Sequence, residues 1–170
     1  MIMQPPAPTL FGRAQEEIAA LEAARVPYEI VPGVTAALAA AAEAGLSLSQ
    51  RGLARSVAFV TPRVGKGEAP SNWARSAASA DTAVIYMGAG EAEAIAAALL
   101  AAGAPRDLPV LVIENATLPQ VRRVALTLAE LPRISGDGFE GPTVIMLGAV
   151  FASALAARAE SGIAPLCRTA

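Results

Sequence analysis

The sequence predicts an α/β fold in which helices pack around one β-sheet. Short runs of β-branched and other apolar residues alternate with alanine- and leucine-rich segments of helical periodicity along residues 11–158. Hydrophobic residues make up 54% of the 170 positions and charged residues only 16%, so the chain can bury a sizeable core. No repeat or linker divides residues 11–158, which predicts one domain.

The N-terminal elements are delimited by proline and glycine. Residues 1–9 hold three prolines and are expected to form a flexible leader. Apolar residues at helical spacing predict an amphipathic helix from Phe11 that ends before Pro27. Residues 28–31 are predicted to be a short strand that stops at Pro32. Residues 34–44 then form an alanine-rich helix, with Thr35 in its first turn and Gly45 as its C-cap.

The remaining elements follow the same alternation. Strands are predicted at residues 56–61, 83–87, 110–113, 121–126 and 143–147. Helices are predicted at residues 72–80, 91–102 and 149–158, with one helical turn at 127–131 before Pro132. Residues 62–71 are a loop rich in glycine and proline, and Arg122 and Arg123 are expected on the exposed side of their strand.

Composition excludes several classes of function. The chain has no histidine and a single cysteine, Cys167, so no histidine-ligated or thiolate metal site and no imidazole-based catalysis is expected. The net charge of −2 gives no reason to expect nucleic-acid binding. The uncharged stretch 141–157 is read as a strand and a helix rather than a membrane span, and residues 1–10 do not resemble a signal peptide. We therefore expect a cytoplasmic protein.

Two local patterns leave their interpretation open. Met87 is followed by Gly88-Ala89-Gly90, the opening of a dinucleotide-binding fingerprint, but position 93 is Glu where a third glycine is needed, so an ordinary turn is favoured. Arg13 and Glu16 are three residues apart, and Arg51 and Arg55 are four apart. These side chains form solvated surface pairs or converge on a polyanionic substrate, and spacing alone does not decide between the two.

Four strings in register resemble one known family. FGRAQEEIAALEAARVPYEIVPGVTAA, SLSQRGLARSVAFVT, AVIYMG and VIENAT, spread over residues 11–117, are similar to the tetrapyrrole (corrin/porphyrin) methylases, most closely to the uroporphyrinogen-III C-methyltransferase branch. The resemblance implies two α/β lobes with S-adenosylmethionine in the cleft between them. It covers only the C-terminal two thirds of a member, so we expect a C-terminal lobe with a mixed sheet over residues 10–158, a tail over 159–170, and no N-terminal lobe.

The resemblance also implies which residues form the site. Those matching the family's cofactor contacts are Leu10, Thr35, Ala36, Met87 and Ala116, with Met87 near the adenosine. Arg13, Glu16 and Arg51 match positions associated with tetrapyrrole binding and proton handling. Members methylate uroporphyrinogen III twice to give precorrin-2, on the path to sirohaem and cobalamin; in-line transfer from a sulfonium depends on positioning more than on acid catalysis.

The sequence departs from the family in one turn. Directly before FGR the family has Gly-Asp-Pro, and this chain has Pro6-Ala7-Pro8. Loss of the aspartate and glycine is expected to weaken cofactor binding and turnover. The alternatives are a non-catalytic or accessory lobe, a methylase of a later corrin intermediate, and, more distantly, a nicotinamide enzyme. A homodimer is expected, because apolar surface that would face a second lobe needs cover.

Overall fold

Five strands form one mixed sheet in the computed structural model of the chain, which describes residues 7–65, 67, 69 and 71–161. They are β1 (Val57–Val60), β2 (Thr82–Tyr86), β3 (Pro109–Glu114), β4 (Arg122–Thr127) and β5 (Thr143–Gly148). The order across the sheet is β1-β2-β5-β3-β4. β1 is parallel to β2, whereas β5 is antiparallel to both of its neighbours and β4 is antiparallel to β3. The predicted α/β fold with a mixed sheet is confirmed.

Helices cover both faces of the sheet. They are α1 (Ala14–Ala23), α2 (Ala36–Glu43), α3 (Trp73–Ser79), α4 (Ala92–Ala101) and α5 (Ala152–Ser161). Short 3₁₀ segments precede α4 and α5. Gly45 has a φ of 66°, and its N–H donates to Ala42 while that of Leu46 donates to Ala41, which is the glycine-terminated helix end predicted for α2.

Alternation along the strands divides the core into two clusters. On one face Ile85, Val112 and Ile145 pack under α3, α4 and the segment after β4. On the other face Ile113, Val144 and Met146 pack under α2 and the start of the last helix. Both clusters are built from the same strands, because successive side chains of a strand point to opposite faces of the sheet.

The structure corrects two predicted elements near the sheet. Residues 28–31 are extended and exposed but form no β-bridge among the described residues; an isolated strand lacks the ladder hydrogen bonds that stabilise it. The turn expected at residues 127–131 is a longer 3₁₀ segment, Leu128–Gly136, that passes through Pro132. Its buried residues Leu128, Leu131 and Ile134 recur every three positions, the period of a 3₁₀ helix.

The arginines of β4 also differ from expectation. Arg122 and Arg123 do not share an exposed side: Arg122 pairs with Glu114, and Arg123 pairs with Glu43. As adjacent strand residues they must face opposite sides of the sheet. Residues 51–55 form a tight turn rather than a helix, so Arg51 and Arg55 do not share a helical face.

The leader and tail lie partly outside the described residues. Residues 1–6 and 162–170, with Cys167, belong to that part of the chain. The division into leader, lobe and tail therefore stays a prediction. Among the described residues, no helix has the length and apolar character to cross a membrane.

Candidate functional site

The carboxyl ends of β1, β2 and β3 meet at one side of the sheet, which we call the carboxyl edge. β2 and β3 both run antiparallel to β5 and so point the same way. Val144 of β5 pairs with Tyr86 of β2 on one side and with Ile113 of β3 on the other. The ends of β2 and β3 are thus two inter-strand spacings apart, about 9–10 Å. Ligands of open α/β sheets bind in crevices outside such strand ends.

Tyr86 ties the start of α2 to this edge. Its Oη lies 2.5 Å from Oγ1 of Thr35, where either group can donate, and accepts the N–H of Ala37 at 3.2 Å. The first N–H groups of a helix have no intrahelical partner, so the tyrosine hydroxyl satisfies one of them. Thr35 and Ala36 are consequently held beside the end of β2.

Aromatic rings surround the same tyrosine. The Phe11 ring lies 5.2 Å from that of Tyr86 in a tilted arrangement, and the Phe59 ring lies 6.4 Å away, edge-on. Phe11 remains 41% exposed and Phe59 36% exposed, so this cluster opens to solvent. Leu10 is half-buried and directly precedes Phe11, which places it at the same edge.

Met87 follows Tyr86 in a strained backbone conformation. Its φ is 58°, in the left-handed region that methionine rarely occupies, and its side chain is 44% exposed. The next residue, Gly88, lies against the core: a Cβ there would come within 2.5 Å of Cδ1 of Ile95. Close packing of Gly88 keeps the turn tight and leaves Met87 at the surface. Left-handed non-glycine residues concentrate at functional sites.

The segment after β3 is strained in the same way. Asn115 has a φ of 54° and Thr117 a φ of 69°. The N–H of Asn115 donates to Pro142 at 2.9 Å, which anchors this loop to the start of β5. Ala116 is half-buried against the cluster that contains Tyr86. The five residues matched to cofactor contacts, Leu10, Thr35, Ala36, Met87 and Ala116, therefore gather at the carboxyl edge.

The three residues matched to substrate contacts lie in two separate parts of the structure. Nη2 of Arg13 lies 2.5 Å from Oε2 of Glu16, and both side chains are mostly exposed. The hydrogen bond that Arg13 donates to the Glu16 carboxylate raises the pKa of Arg13. Arg13 follows Phe11 by two residues and is the N-cap of α1. Arg51 lies in a turn joined to the amino end of β1, away from Met87, and no ion pair among the described residues includes it.

Three groups near the site were not predicted from the sequence. They are the Tyr86 hydroxyl, the Glu43–Arg123 pair and the Glu114–Arg122 pair. Tyr86 could have been found from the sequence. In AVIYM it lies two residues after Val84, so alternation places both side chains on the same face, with the tyrosine hydroxyl at the end of an otherwise apolar strand. The residues of the Glu114–Arg122 pair are 8 positions apart, and those of the Glu43–Arg123 pair are 80 apart. Local sequence patterns predict contacts only between residues three or four positions apart in a helix, so they could not predict these two pairs.

The described residues hold no cluster of three or more metal-binding side chains.

Comparison with known proteins agrees with this architecture. The model of the family Tetrapyrrole (Corrin/Porphyrin) Methylases matches residues 7–132. The chain belongs to this family. Among curated tetrapyrrole methylases, it is 41% identical over 144 residues to a siroheme synthase of Azotobacter vinelandii, covering 84% of this chain and 31% of that protein. It is 40% identical to the uroporphyrinogen-III C-methyltransferase of Pseudomonas aeruginosa, covering 84% of this chain and 58% of that enzyme.

Solved tetrapyrrole methylases share the fold. The native uroporphyrin III C-methyl transferase of Thermus thermophilus superposes with a TM-score of 0.76 at 37% identity, covering 86% of this chain and 62% of that one. The complex of that enzyme with S-adenyl homocysteine gives a TM-score of 0.75, also at 37% identity, covering 86% and 64%. The chain thus spans less than two thirds of the length of each of these relatives.

Proposed function

We propose that this chain carries part of an S-adenosylmethionine site at the carboxyl edge and acts in the C-methylation of uroporphyrinogen III to precorrin-2. The gathering of Leu10, Thr35, Ala36, Met87 and Ala116 at the carboxyl edge is the observation that carries the proposal. Membership of the tetrapyrrole methylases supports it, as does similarity to an enzyme solved with S-adenyl homocysteine.

The residues at the carboxyl edge suit a sulfonium nucleoside. Adenosine offers an aromatic base, and the half-exposed Phe11, Phe59 and Met87 provide apolar and aromatic contact surface for it. A sulfonium cation is attracted to the faces of aromatic rings. The bound cofactor would supply the methyl group as an electrophile. Thr35 offers a hydroxyl, and the backbone of the loop at Ala116 offers hydrogen-bonding groups.

The remaining chemistry is positioning of an anionic tetrapyrrole. Uroporphyrinogen III carries several carboxylates, and arginine grips a carboxylate with two parallel hydrogen bonds and stays charged. Arg13 lies two residues after Phe11 with 78% of its side chain exposed, so a substrate carboxylate can reach it. Glu16 holds the guanidinium in place, and the resemblance assigns this pair to tetrapyrrole binding and proton handling. Arg51 contributes to this role only if the substrate extends across to its turn.

Calorimetry with S-adenosylhomocysteine on the 170-residue chain tests the cofactor site. We expect saturable but weakened binding, with Met87→Asp and Thr35→Tyr each abolishing it. Leu53→Asp is the matched control, because Leu53 is as exposed as Met87 but lies in the turn of Arg51. No heat at millimolar ligand, or equal affinity of the Met87→Asp variant, would refute the site.

Methyl transfer tests the substrate. Uroporphyrinogen III and labelled cofactor are supplied to the chain, with the Pseudomonas aeruginosa relative as positive control. Since the chain spans 58% of that enzyme, we expect little turnover, with any label appearing in precorrin-2. Label in a later corrin but never in precorrin-2 would overturn the assignment.

A second candidate is a non-catalytic or accessory member that associates with itself. Val31, Val34 and Leu38 are 70%, 62% and 51% exposed, an apolar strip around the start of α2 that favours association. We accordingly propose a homodimer in the cytoplasm that binds a small molecule rather than nucleic acid. Light scattering tests the dimer, and a monomer at micromolar concentration contradicts it. The accessory role predicts a dimer with no affinity for S-adenosylhomocysteine.

A further inference from the structure

Glu43 is the last residue of α2 and joins that helix to two segments distant in sequence. Its Oε1 is paired with Nη2 of Arg123 on β4, whose Nε donates to the backbone carbonyl of Glu43 at 3.2 Å. Oε2 of the same carboxylate accepts the N–H of Thr117 at 3.2 Å. The side chains of Glu43 and Arg123 are only 20% and 18% exposed, so water screens the pair weakly.

Thr117 belongs to the strained loop after β3 that contains Ala116. Asn115 and Thr117 both have positive φ, a conformation that persists only where surrounding contacts stabilise it. The N–H of Asn115 is held by Pro142, and the N–H of Leu118 donates to Asn115 within the loop. The bond from Thr117 to Glu43 is the contact that ties the loop to α2.

The opposite end of α2 is tied to the other part of the candidate site. Thr35 and Ala37 contact the Tyr86 hydroxyl at the end of β2. An eight-residue helix is about 12 Å long, which suits the roughly 9–10 Å between the ends of β2 and β3. The helix therefore links Thr35 and Ala36 at one end with the loop of Ala116 at the other.

We infer that Glu43, held by Arg123, is a positioning residue that fixes the Ala116 loop relative to Thr35 for cofactor binding. This inference rests on the proposed function of the carboxyl edge. Glu43 acts on the cofactor site only indirectly, because it positions the loop by accepting the Thr117 N–H. Replacement of Glu43 by alanine removes the acceptor of that N–H and leaves the Arg123 guanidinium without its carboxylate.

The chain offers a closely matched control in Glu130. Its carboxylate also pairs with an arginine, Arg158, and accepts the N–H of a threonine, Thr127. It is 25% exposed, similar to Glu43. Thr127 ends β4, which is antiparallel to β3, so Glu130 lies beyond the edge opposite the candidate site. Glu130 also pairs with Arg133 and accepts the Thr127 hydroxyl, so Glu130→Ala removes at least as many bonds as Glu43→Ala, without touching the Ala116 loop.

The experiment compares Glu43→Ala, Glu43→Gln and Glu130→Ala in the full 170-residue chain. We expect the two alanine variants to lose similar thermal stability while remaining folded at 25 °C. We expect only Glu43→Ala to bind S-adenosylhomocysteine about tenfold more weakly, the scale of one charge-assisted hydrogen bond. Glu43→Gln keeps an amide oxygen for Thr117 and should recover most of the affinity.

Hydrogen exchange at the Thr117 amide separates this inference from the proposed function. If the unmodified chain fails to bind S-adenosylhomocysteine, the proposed function fails, and the positioning of the loop is judged from exchange alone. Faster exchange at Thr117 in Glu43→Ala but not in Glu130→Ala supports it. Unchanged exchange, affinity within twofold of the unmodified chain, or equal loss of affinity in both alanine variants overturns it.

Discussion

Removing the buried carboxylate of Glu114 should destabilise the chain strongly. Glu114 is 3% exposed at the end of β3, and its Oε1 accepts the N–H groups of Glu140 and Gly141 at 2.7 Å each. Its Oε2 accepts Nη1 of Arg122 at 3.2 Å. These bonds hold the segment before β5 against β3. Glu114→Ala leaves two backbone donors and one guanidinium without this acceptor.

The cost can be worked from these contacts. Each amide left without a partner costs about 1–3 kcal/mol, and the exposure of Glu140 to solvent favours the lower half of that range. Arg122 keeps two carbonyl acceptors, Asp137 and Gly138, and stacks over the Phe139 ring, so its loss is small. The free energy of unfolding should therefore fall by about 3 kcal/mol in Glu114→Ala. Glu114→Gln retains an oxygen for both amides and should lose about half as much, roughly 1.5 kcal/mol.

Urea denaturation provides the assay. Trp73 is the single tryptophan, packs against the core from α3, and reports unfolding by fluorescence. A double-mutant cycle with Arg122→Met should give a coupling energy of about 1 kcal/mol, because Arg122 is 35% exposed. A free energy of unfolding for Glu114→Ala within 1 kcal/mol of that of the unmodified chain, at unchanged m-value, would refute the reasoning that these bonds stabilise the fold.

Three further predictions concern the core and the sheet ends. Phe151 is 1% exposed, so Phe151→Ala should lower the free energy of unfolding by about 3–5 kcal/mol in the same urea assay, and a smaller loss would show that the cavity collapses. Oγ1 of Thr82 is buried without a hydrogen-bond partner among the described residues, so Thr82→Val should raise thermal stability, by about 1 kcal/mol; a lowered melting temperature would reveal a partner for the hydroxyl. Hydrogen bonds from the N–H of Arg55 and from Ser56 lower the pKa of Asp81, so its stabilising effect is present above its ordinary pKa of about 4 and is lost as pH falls through the lowered value. Asp81→Asn should consequently be less stable than the unmodified chain at pH 7 and converge with it at low pH, and a pH-independent difference in urea midpoint would contradict this.

The sequence predicts those elements whose signal is local. β2 is a continuous apolar run, α4 has apolar residues at helical spacing, and Gly45 ends α2 because a left-handed residue is needed there. The gathering of Thr35 and Met87 was expected only through resemblance to a family. Their adjacency depends on the Tyr86 hydroxyl, which bonds across about fifty residues and leaves no trace in local spacing.

The two wrong predictions, the strand at residues 28–31 and the shared exposed side of Arg122 and Arg123, have a common physical origin. Residues 28–31 have the apolar, β-branched character of a strand, yet a strand is stable only beside a partner, and pairing is a tertiary property. Arg122 and Arg123 are polar, which suggests exposure, but each pairs with an acidic partner, the buried Glu114 and the partly buried Glu43. In the first case the absence of a long-range partner, and in the second its presence, overrides the local preference.

The position of β5 determines when this protein can fold. It is the last of the five described strands along the sequence, yet it lies in the middle of the sheet between β2 and β3. Before it is synthesised, β1–β2 and β3–β4 are two separate ribbons, and isolated two-stranded ribbons are marginal in water. The complete sheet can therefore form only after β5 is synthesised and through contacts between distant segments, which predicts slow folding and a nascent chain that depends on protection from aggregation.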